Sequence, residues 1–388
     1  MSVLLRGGKL FLSNGDFSRG DLLIENGRLA GVKETPRSAD AQKVDLDGRW
    51  VLPGFIDAHL HLATPRSTDV AVVLESAHNA RLELACGVTT VRDMGGYHFT
   101  VIALKRAIDQ GWIPGPQIVA CGQAISMTGG HTYDQAMEAD GPEEIRKAVR
   151  VQLRAGANWI YVIGSAGVDE DPETPQLTFE EIRAAVVEAK RHHVPVSVHA
   201  HPPETIKDAL RAGVDTIEHG TYPDEEAIEL LLKTRAFLVP TIAVYENIAQ
   251  SAADPELRER ARRVFEHKME TFKDVVERGV RWGVAPDLSV GLRVNRLVSE
   301  LRLLQKAGLE SQEILLQATK GNAELLGMSD KIGTLEVGKL ADIVVLEGDP
   351  IQDLSSAGNV HLTIKGGRLY SPMEELSDRL TTSAIEST

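Results

Sequence analysis

The sequence predicts an α/β protein, a (β/α)8 TIM barrel carrying a small β-sandwich domain built from both chain ends. Three observations carry that expectation. A helix-like stretch that closes on glycine and runs at once into a β-branched segment occurs four times: "LELACGVTTVRD", "QLRAGANWIYVI", "ALRAGVDTIEHG" and "VVERGVRWGVAPD". Hairpin signals crowd the two ends of the chain. Histidines and an aspartate fall at the ends of the apolar runs between them.

The elements follow in order. In "LLIENGRLAGV", Asn26-Gly27 separates two alternating apolar runs, the strongest short hairpin signal. "VDLDGRWVL" repeats the pattern with Asp47-Gly48. Near the other end "GKLADIVVLEG" and "VHLTIKGGRLY" read as strands, with Gly366-Gly367 as a turn. Neither end has enough apolar surface for its own core, so residues 1–52 and 328–372 are expected to form one composite β domain. Residues 373–388 form a polar tail, expected to be disordered or loosely docked.

Residues 53–327 hold the repeated unit. Glycine just past a helix is the expected left-handed cap, and the run after it reads as a buried parallel strand. With "WVLPGFIDAHLHL", "GPQIVACG", "VPVSVHAH" and "AFLVPTI" the candidates number eight strands. Helical stretches such as "TFEEIRAAVVEAKRHH" lie between them. Eight such pairs within about 280 residues is the cadence of a barrel. An open doubly wound sheet shares the alternation, but no Gly-x-Gly-x-x-Gly or Walker-type turn supports a nucleotide-binding version. The segment "YENIAQSAADPELRER" is expected to be part of a lid or a rim.

Composition narrows function. The 388 residues are 43% hydrophobic and 25% charged, with a formal net charge of −14. No basic cluster exists to neutralise phosphates, so nucleic-acid binding is not expected. No apolar run approaches the roughly 20 residues that span a bilayer, so no membrane partner is expected. "MSVLLRGGKLFLSNGD" turns polar too soon for a secretory signal. Cys86 and Cys121, far apart in apolar settings, read as buried small hydrophobes. A cytoplasmic location is the expectation.

Barrel active sites sit at the C-terminal ends of the strands. His59 and His61 end the first candidate strand, His199 the fifth, His219 the sixth and Asp287 the eighth. Side chains at i and i+2 share a face of a strand, so His59 and His61 can grip one cation. A lone strand-end histidine is more often a hydrogen-bonded core residue. Four histidines and an aspartate at four strand ends instead read as metal ligands, leaving open positions for an acidified water.

This order of His-x-His, His, His and Asp, after "PGFIDAHLH", resembles the amidohydrolase superfamily of metal-dependent hydrolases. The resemblance covers nearly the whole chain, including the closing "ATKGNAELLGMSDKIGTLEVGKLADIVVLEGDP". "GVTTVRDMGG", "AISMTGGH", "VHAH…AGVDTIEHGTY" and "VPTI" are similar to the branch of prolidase-like and carboxypeptidase-like enzymes, to which imidazolonepropionase is related. It implies hydrolysis of an amide-type C–N bond in a small-molecule substrate: a dipeptide, an N-acyl amino acid, a urea or a carbamate. It also implies self-association into a homo-oligomer.

One position departs from that branch. Its fourth strand carries a lysine, carboxylated to a carbamate that bridges two metals, where this chain has Tyr161 in "WIYVIGSAG". A phenol offers one oxygen, and its unperturbed pKa is about 10. Two cations a few ångströms apart repel unless anions bridge them, so one ion, zinc by preference, is expected over two. On that reading His59, His61, His199 and Asp287 hold the ion, while His219 orients the water or polarises the substrate. The rival arrangement keeps a second ion at His199 and His219, with Tyr161 as a phenolate ligand. The eighth strand departs too, with Ala285-Pro286-Asp287 in place of Gly-Thr-Asp.

Asp287 is expected to take the proton of the attacking water and pass it to the leaving nitrogen. His131, in "MTGGH", is the candidate for the tetrahedral oxyanion. His201, Tyr222 and Arg293 are candidate substrate contacts, the last as a fork for a carboxylate. Two further readings stand beside amide hydrolysis: a single-metal deaminase or cyclic-amide ring-opening hydrolase, and a degenerate barrel that binds a ligand with little turnover.

Overall fold

The computed structural model of the chain describes residues 2–33, 40–63, 69–287 and 296–372. The expectations for Arg293 and for the tail at 373–388 lie outside the described residues. Strands from both chain ends join in one sheet: β1 (Ser2–Phe11), β2 (Phe17–Glu25), β3 (Arg28–Lys33), β4 (Gln42–Asp45), β5 (Trp50–Pro53), and later β15 (Ile343–Leu346), β16 (Val360–Lys365) and β17 (Arg368–Tyr370). The order is β17-β16-β15-β5-β1-β2-β3, with β4 alongside β1. The strands expected to make a sandwich are thus linked through hydrogen bonds as a single eight-stranded sheet. Its buried side chains, among them Leu5, Leu22, Val51, Ile343 and Ile364, form their own core.

Two of the three expected hairpin turns are hairpins. Asn26 and Gly27 have φ of 51° and 76°, Gly366 and Gly367 55° and 80°, the left-handed pair that a two-residue turn requires. Asp47-Gly48 is a correction. β4 and β5 both run parallel to β1, paired end to end along the same edge. The turn takes up the bulge of β1 between Leu5 and Gly8, with the Gly48 N–H on the Gly7 carbonyl at 3.0 Å. The same sequence signal serves there as a kink.

Two parallel arcs make the barrel-like α/β body. One holds β6 (Phe55–Leu60), β7 (Val88–Asp93) and β8 (Gln117–Ala120). The other runs β10-β9-β11-β12-β13-β14, its members being β9 (Ile125–Ser126), β10 (Met137–Glu138), β11 (Ile160–Ile163), β12 (Val196–Ala200), β13 (Thr216–His219) and β14 (Phe237–Val239). Every residue of β6, β7, β11, β12 and β13 is buried. That is why these strands read as continuous apolar runs without alternation. The helices before β11 and β13 end on Gly156 and Gly213, with φ of 111° and 94°, the expected caps.

Individual hydrogen bonds span the gaps between the arcs. The Asn158 N–H reaches the Ala120 carbonyl at 2.8 Å, and the Ala58 N–H reaches the Val284 carbonyl at 3.3 Å. Among the described residues the expected eighth strand forms only one bridge, Leu238 to Trp282. A side chain replaces the missing ladder. Asn322 is fully buried; its amide donates to the carbonyls of Ile56 and Val284 at 2.7 and 2.8 Å and accepts the Val284 N–H at 2.9 Å. Asn322→Ala should therefore cost about 3 kcal/mol, since each buried backbone group left unpaired costs about 1–3 kcal/mol. Urea unfolding is the check, and a loss below about 0.5 kcal/mol would show that the closure does not depend on this amide.

The segment expected as lid or rim is two helices, Ile242–Ser251 and Pro255–Glu277. They pack together through an apolar cluster that includes Val168, Tyr245, Ala261 and Val264. No helix among the described residues is long and apolar enough to cross a membrane. Cys86 and Cys121 are both buried.

Candidate metal centre and active site

His59, His61 and Asp287 converge at the C-terminal ends of the strands. Nε2 of His59 lies 3.3 Å from Asp287 Oδ1, and Nε2 of His61 lies 3.2 Å from the same oxygen. One ligand atom from each residue falls within 4.8 Å of the others, the one metal-capable group among the described residues. Both rings are locked from behind. His59 Nδ1 donates to Glu218 Oε2 at 2.7 Å, and His61 Nδ1 donates to the Gly95 carbonyl at 2.6 Å. A carboxylate and a carbonyl only accept, so each Nδ1 holds its ring proton and each Nε2 is the inward-facing nitrogen, the one left to ligate a cation. His59 Nε2 is buried with no hydrogen-bond partner among the described residues. An orphaned imidazole nitrogen facing a second imidazole and a carboxylate is the donor set of a divalent cation, and these residues fit one.

The charges agree with that geometry. Burial alone would lower His59, but the Asp287 and Glu218 carboxylates push it up to about 9. Burial would likewise raise Asp287, yet the charge of His59 and the contacts of both imidazoles hold it well below the usual carboxylate range. A cation entering this site must displace the His59 proton, so metal uptake releases protons and weakens as pH falls.

His131, His199, His201 and His219 line a cavity of about 180 Å³ over this cluster. Burial lowers His199 to about 3 and holds His201 and His219 well below the usual imidazole range, so all three are neutral. His199 Nε2 donates to the Ala166 carbonyl at 3.2 Å, which leaves the Nδ1 lone pair toward the Tyr161 hydroxyl at 3.5 Å. His219 Nδ1 meets Thr241 Oγ1 at 2.7 Å and lies 4.0 Å from Asp287 Oδ2. His199 and His219 therefore flank the tight cluster without joining it, and Tyr161 sits buried beside His199. His201 stacks on His219 with rings 5.1 Å apart and 6° from parallel, its Nδ1 on Thr221 Oγ1 at 2.7 Å.

His131 lines the cavity from the loop after β9, its ring 4.8 Å from that of His199. It packs flush on Gly167, where a Cβ would stand 2.4 Å from its Cε1. Asp169 Oδ1 is 2.7 Å from its Nδ1, although the approach falls outside hydrogen-bond geometry, as Nδ1 is left without a bonded partner among the described residues. Tyr222 does not line the cavity; its ring packs on His267 at 4.8 Å.

Three residues at these strand ends hold left-handed backbone: His219, Thr241 and Asp287, with φ of 68°, 48° and 50°. For β-branched Thr241 this is an outlier, and its hydroxyl is the group that meets His219. Backbone strain of this kind persists where surrounding contacts enforce it.

Sequence reasoning passed over the layer beneath. Arg92 and Glu218 are fully buried and paired, Nη2 to Oε1 at 2.8 Å. Arg92 also donates to the Ala58 carbonyl, Ser197 Oγ and Thr216 Oγ1 at 2.6, 3.0 and 3.1 Å. Asp93 accepts the N–H groups of Leu62 and Gly95 at 2.8 and 3.1 Å, which fixes the carbonyl-bearing loop behind His61. Glu300 accepts the Ile242 and Ala243 N–H groups at 2.9 and 2.7 Å, so it anchors the helix that brings Val244, Tyr245 and Ile248 to the cavity. All four stand inside apolar or helical stretches, where the only available signal was a charged residue at a position that should be buried.

Comparison with known proteins gives the same answer as the geometry. Residues 50–370 match the model of the amidohydrolase family. The chain is 28% identical over 367 residues to ochratoxinase of Aspergillus niger, spanning 82% of this chain and 75% of that one. It is 22% identical to imidazolonepropionase of Caldanaerobacter subterraneus subsp. tengcongensis, over 84% of this chain and 83% of that one. A crystal structure of a Xaa-Pro dipeptidase with methionine in its active site superposes with a TM-score of 0.89 at 31% identity, covering 96% of this chain and all of that one. The chain belongs to the amidohydrolase family of hydrolytic enzymes.

Proposed function

We propose that this protein hydrolyses an amide-type C–N bond of a small molecule, with one divalent cation, zinc in our reading, held by His59, His61 and Asp287. The observation that carries the proposal is the inward-facing pair of Nε2 atoms on one Asp287 oxygen, each ring proton tied off behind. The relatives support the bond class: one is by name a Xaa-Pro dipeptidase, another an ochratoxinase.

A cation bound there supplies Lewis acidity and an acidified water. The chain's own groups do the rest. Asp287 is ionised and placed to accept the water's proton and return it to the leaving nitrogen. Neutral His219, 4.0 Å from Asp287 Oδ2, orients the water or substrate. His131 faces the same cavity as a donor to the developing oxyanion. His201 lines the substrate space beside His219. Tyr222 is assigned no substrate contact here.

The single-ion reading rests on Tyr161. His199 and His219 stand outside the tight cluster, and beside His199, at 3.5 Å from its Nδ1, there is a phenol where an anionic bridge would be required. The same feature favours a second reading, a single-metal deaminase or ring-opening hydrolase. Elemental analysis of the purified chain should give about one ion per chain. A chelator should abolish turnover, and zinc should restore it. Xaa-Pro dipeptides, N-acyl amino acids, ureas and carbamates are then screened for amine release, with an ammonia-coupled assay on amino-heterocycles for the second reading. Two ions per chain would overturn the single-ion assignment, and ammonia release alone would move the protein to the second reading.

A further inference from the structure

The phenol of Tyr161 stands in the cavity with Asp287 and His61, on a rigid strand whose every residue is buried. Its side chain is locked against β6, its ring 5.7 Å from that of His59 and nearly perpendicular to it. The hydroxyl, by contrast, is lightly held. Its contact with His199 Nδ1 is 3.5 Å long, the outer edge of a hydrogen bond. His199 has its own proton on the other nitrogen, engaged by the Ala166 carbonyl, so Nδ1 presents only a lone pair. The O–H is therefore a donor with a weak acceptor, able to turn toward a better one in the cavity at little cost.

We propose that Tyr161 is a catalytic residue, donating a hydrogen bond to the oxyanion of the tetrahedral intermediate. This rests on the hydrolytic reading above. An oxyanion is charged, and a charge-assisted bond to it is roughly twice as strong as a neutral one. The 3.5 Å contact to His199 is exchanged for it as charge develops on the substrate oxygen. That difference between ground state and transition state is what accelerates a reaction. A donor on a strand is also better placed for this than His131 on its loop. On this assignment the substitution at the fourth strand does more than remove a bridge: the position changes from a metal ligand to an electrostatic contact with the reacting group.

The test uses full-length protein loaded with zinc, Tyr161→Phe and Tyr161→Lys. Metal per chain is measured first, by elemental analysis. Binding of a phosphonamidate, a stable tetrahedral analogue of an amide under attack, is then measured by calorimetry, and kcat and KM on whichever panel substrate turns over. Tyr161→Phe should keep its metal and its KM, lose about 100-fold in kcat, the size expected for one oxyanion donor, and bind the phosphonamidate about 100-fold more weakly. Tyr161→Lys should show the same weakened binding, with metal rising toward two if the lysine becomes carboxylated. Unchanged kcat and unchanged analogue affinity in Tyr161→Phe would overturn the proposal. Loss of metal in that variant would overturn it in favour of a phenolate ligand. A wild-type protein that keeps its zinc yet binds no phosphonamidate and turns over nothing in the panel overturns the hydrolytic reading and this one together.

Discussion

Asp287→Asn should lower kcat/KM by about 10³–10⁴, or roughly 4–5.5 kcal/mol in transition-state free energy. The amide has the carboxylate's size and cannot accept the proton of an attacking water. Asparagine is the substitution of choice because the backbone here is left-handed, at φ 50°, a conformation that asparagine adopts with aspartate and most residues do not. The variant should therefore fold, and the loss belongs to chemistry. It should also hold its metal more weakly. Both His59 and His61 face one Asp287 oxygen, and that carboxylate is the anionic ligand of the trio, which the amide replaces with a neutral oxygen. The measurement is kcat/KM together with metal per chain at saturating zinc. Activity within tenfold of the unaltered protein, with the metal retained, would falsify the role of Asp287 as proton acceptor and leave the base to be found elsewhere in the cavity.

The site was legible in the sequence where local pattern and chemistry coincide. His59 and His61 announce themselves because a strand period of two places both imidazoles on one face, and the structure brings them to Asp287 across more than two hundred residues. The glycine caps at Gly156 and Gly213 were legible for the same reason, since a left-handed cap is a property of a few neighbouring residues. What escaped was non-local. Asp47-Gly48 carries the hairpin signal of Asn26-Gly27, yet becomes a kink because β1 carries a bulge beside it. Asn322 closes the gap beside β6 from a helix 266 residues away in sequence. Nothing in its neighbourhood says that a backbone ladder elsewhere lacks a rung. Arg92 and Glu218, 126 positions apart, were read as parts of strand motifs and not as a pair. Their placement follows from a convergence of strands that only the assembled body provides.

That pair yields the other large effect. Glu218 has one oxygen on Arg92 and the other on His59 Nδ1, at 2.8 and 2.7 Å, and Thr216 Oγ1 adds a third donor at 2.5 Å. Burial would raise this carboxyl, but Arg92 and His59 hold it below the usual carboxylate range. A lowered folded-state value means that its stabilising contribution is complete above the ordinary carboxylate pKa and lost as pH falls through the folded one. At neutral pH it is in full force. Glu218→Gln leaves a fully buried guanidinium without its anion, which should destabilise the fold by about 3–5 kcal/mol. It should also weaken metal binding about 10–100-fold, because the group orienting His59 becomes a poorer acceptor. These two losses are separable. In Arg92→Met/Glu218→Gln the uncompensated charge is gone, so most of the stability should return while metal affinity stays low. Denaturant unfolding of the metal-free chains and zinc titration of the same three proteins read the two quantities. If the double variant regains metal affinity along with stability, Glu218 acts on the site only by holding the fold. If it regains neither, the pair is not the compensated charge that its geometry describes.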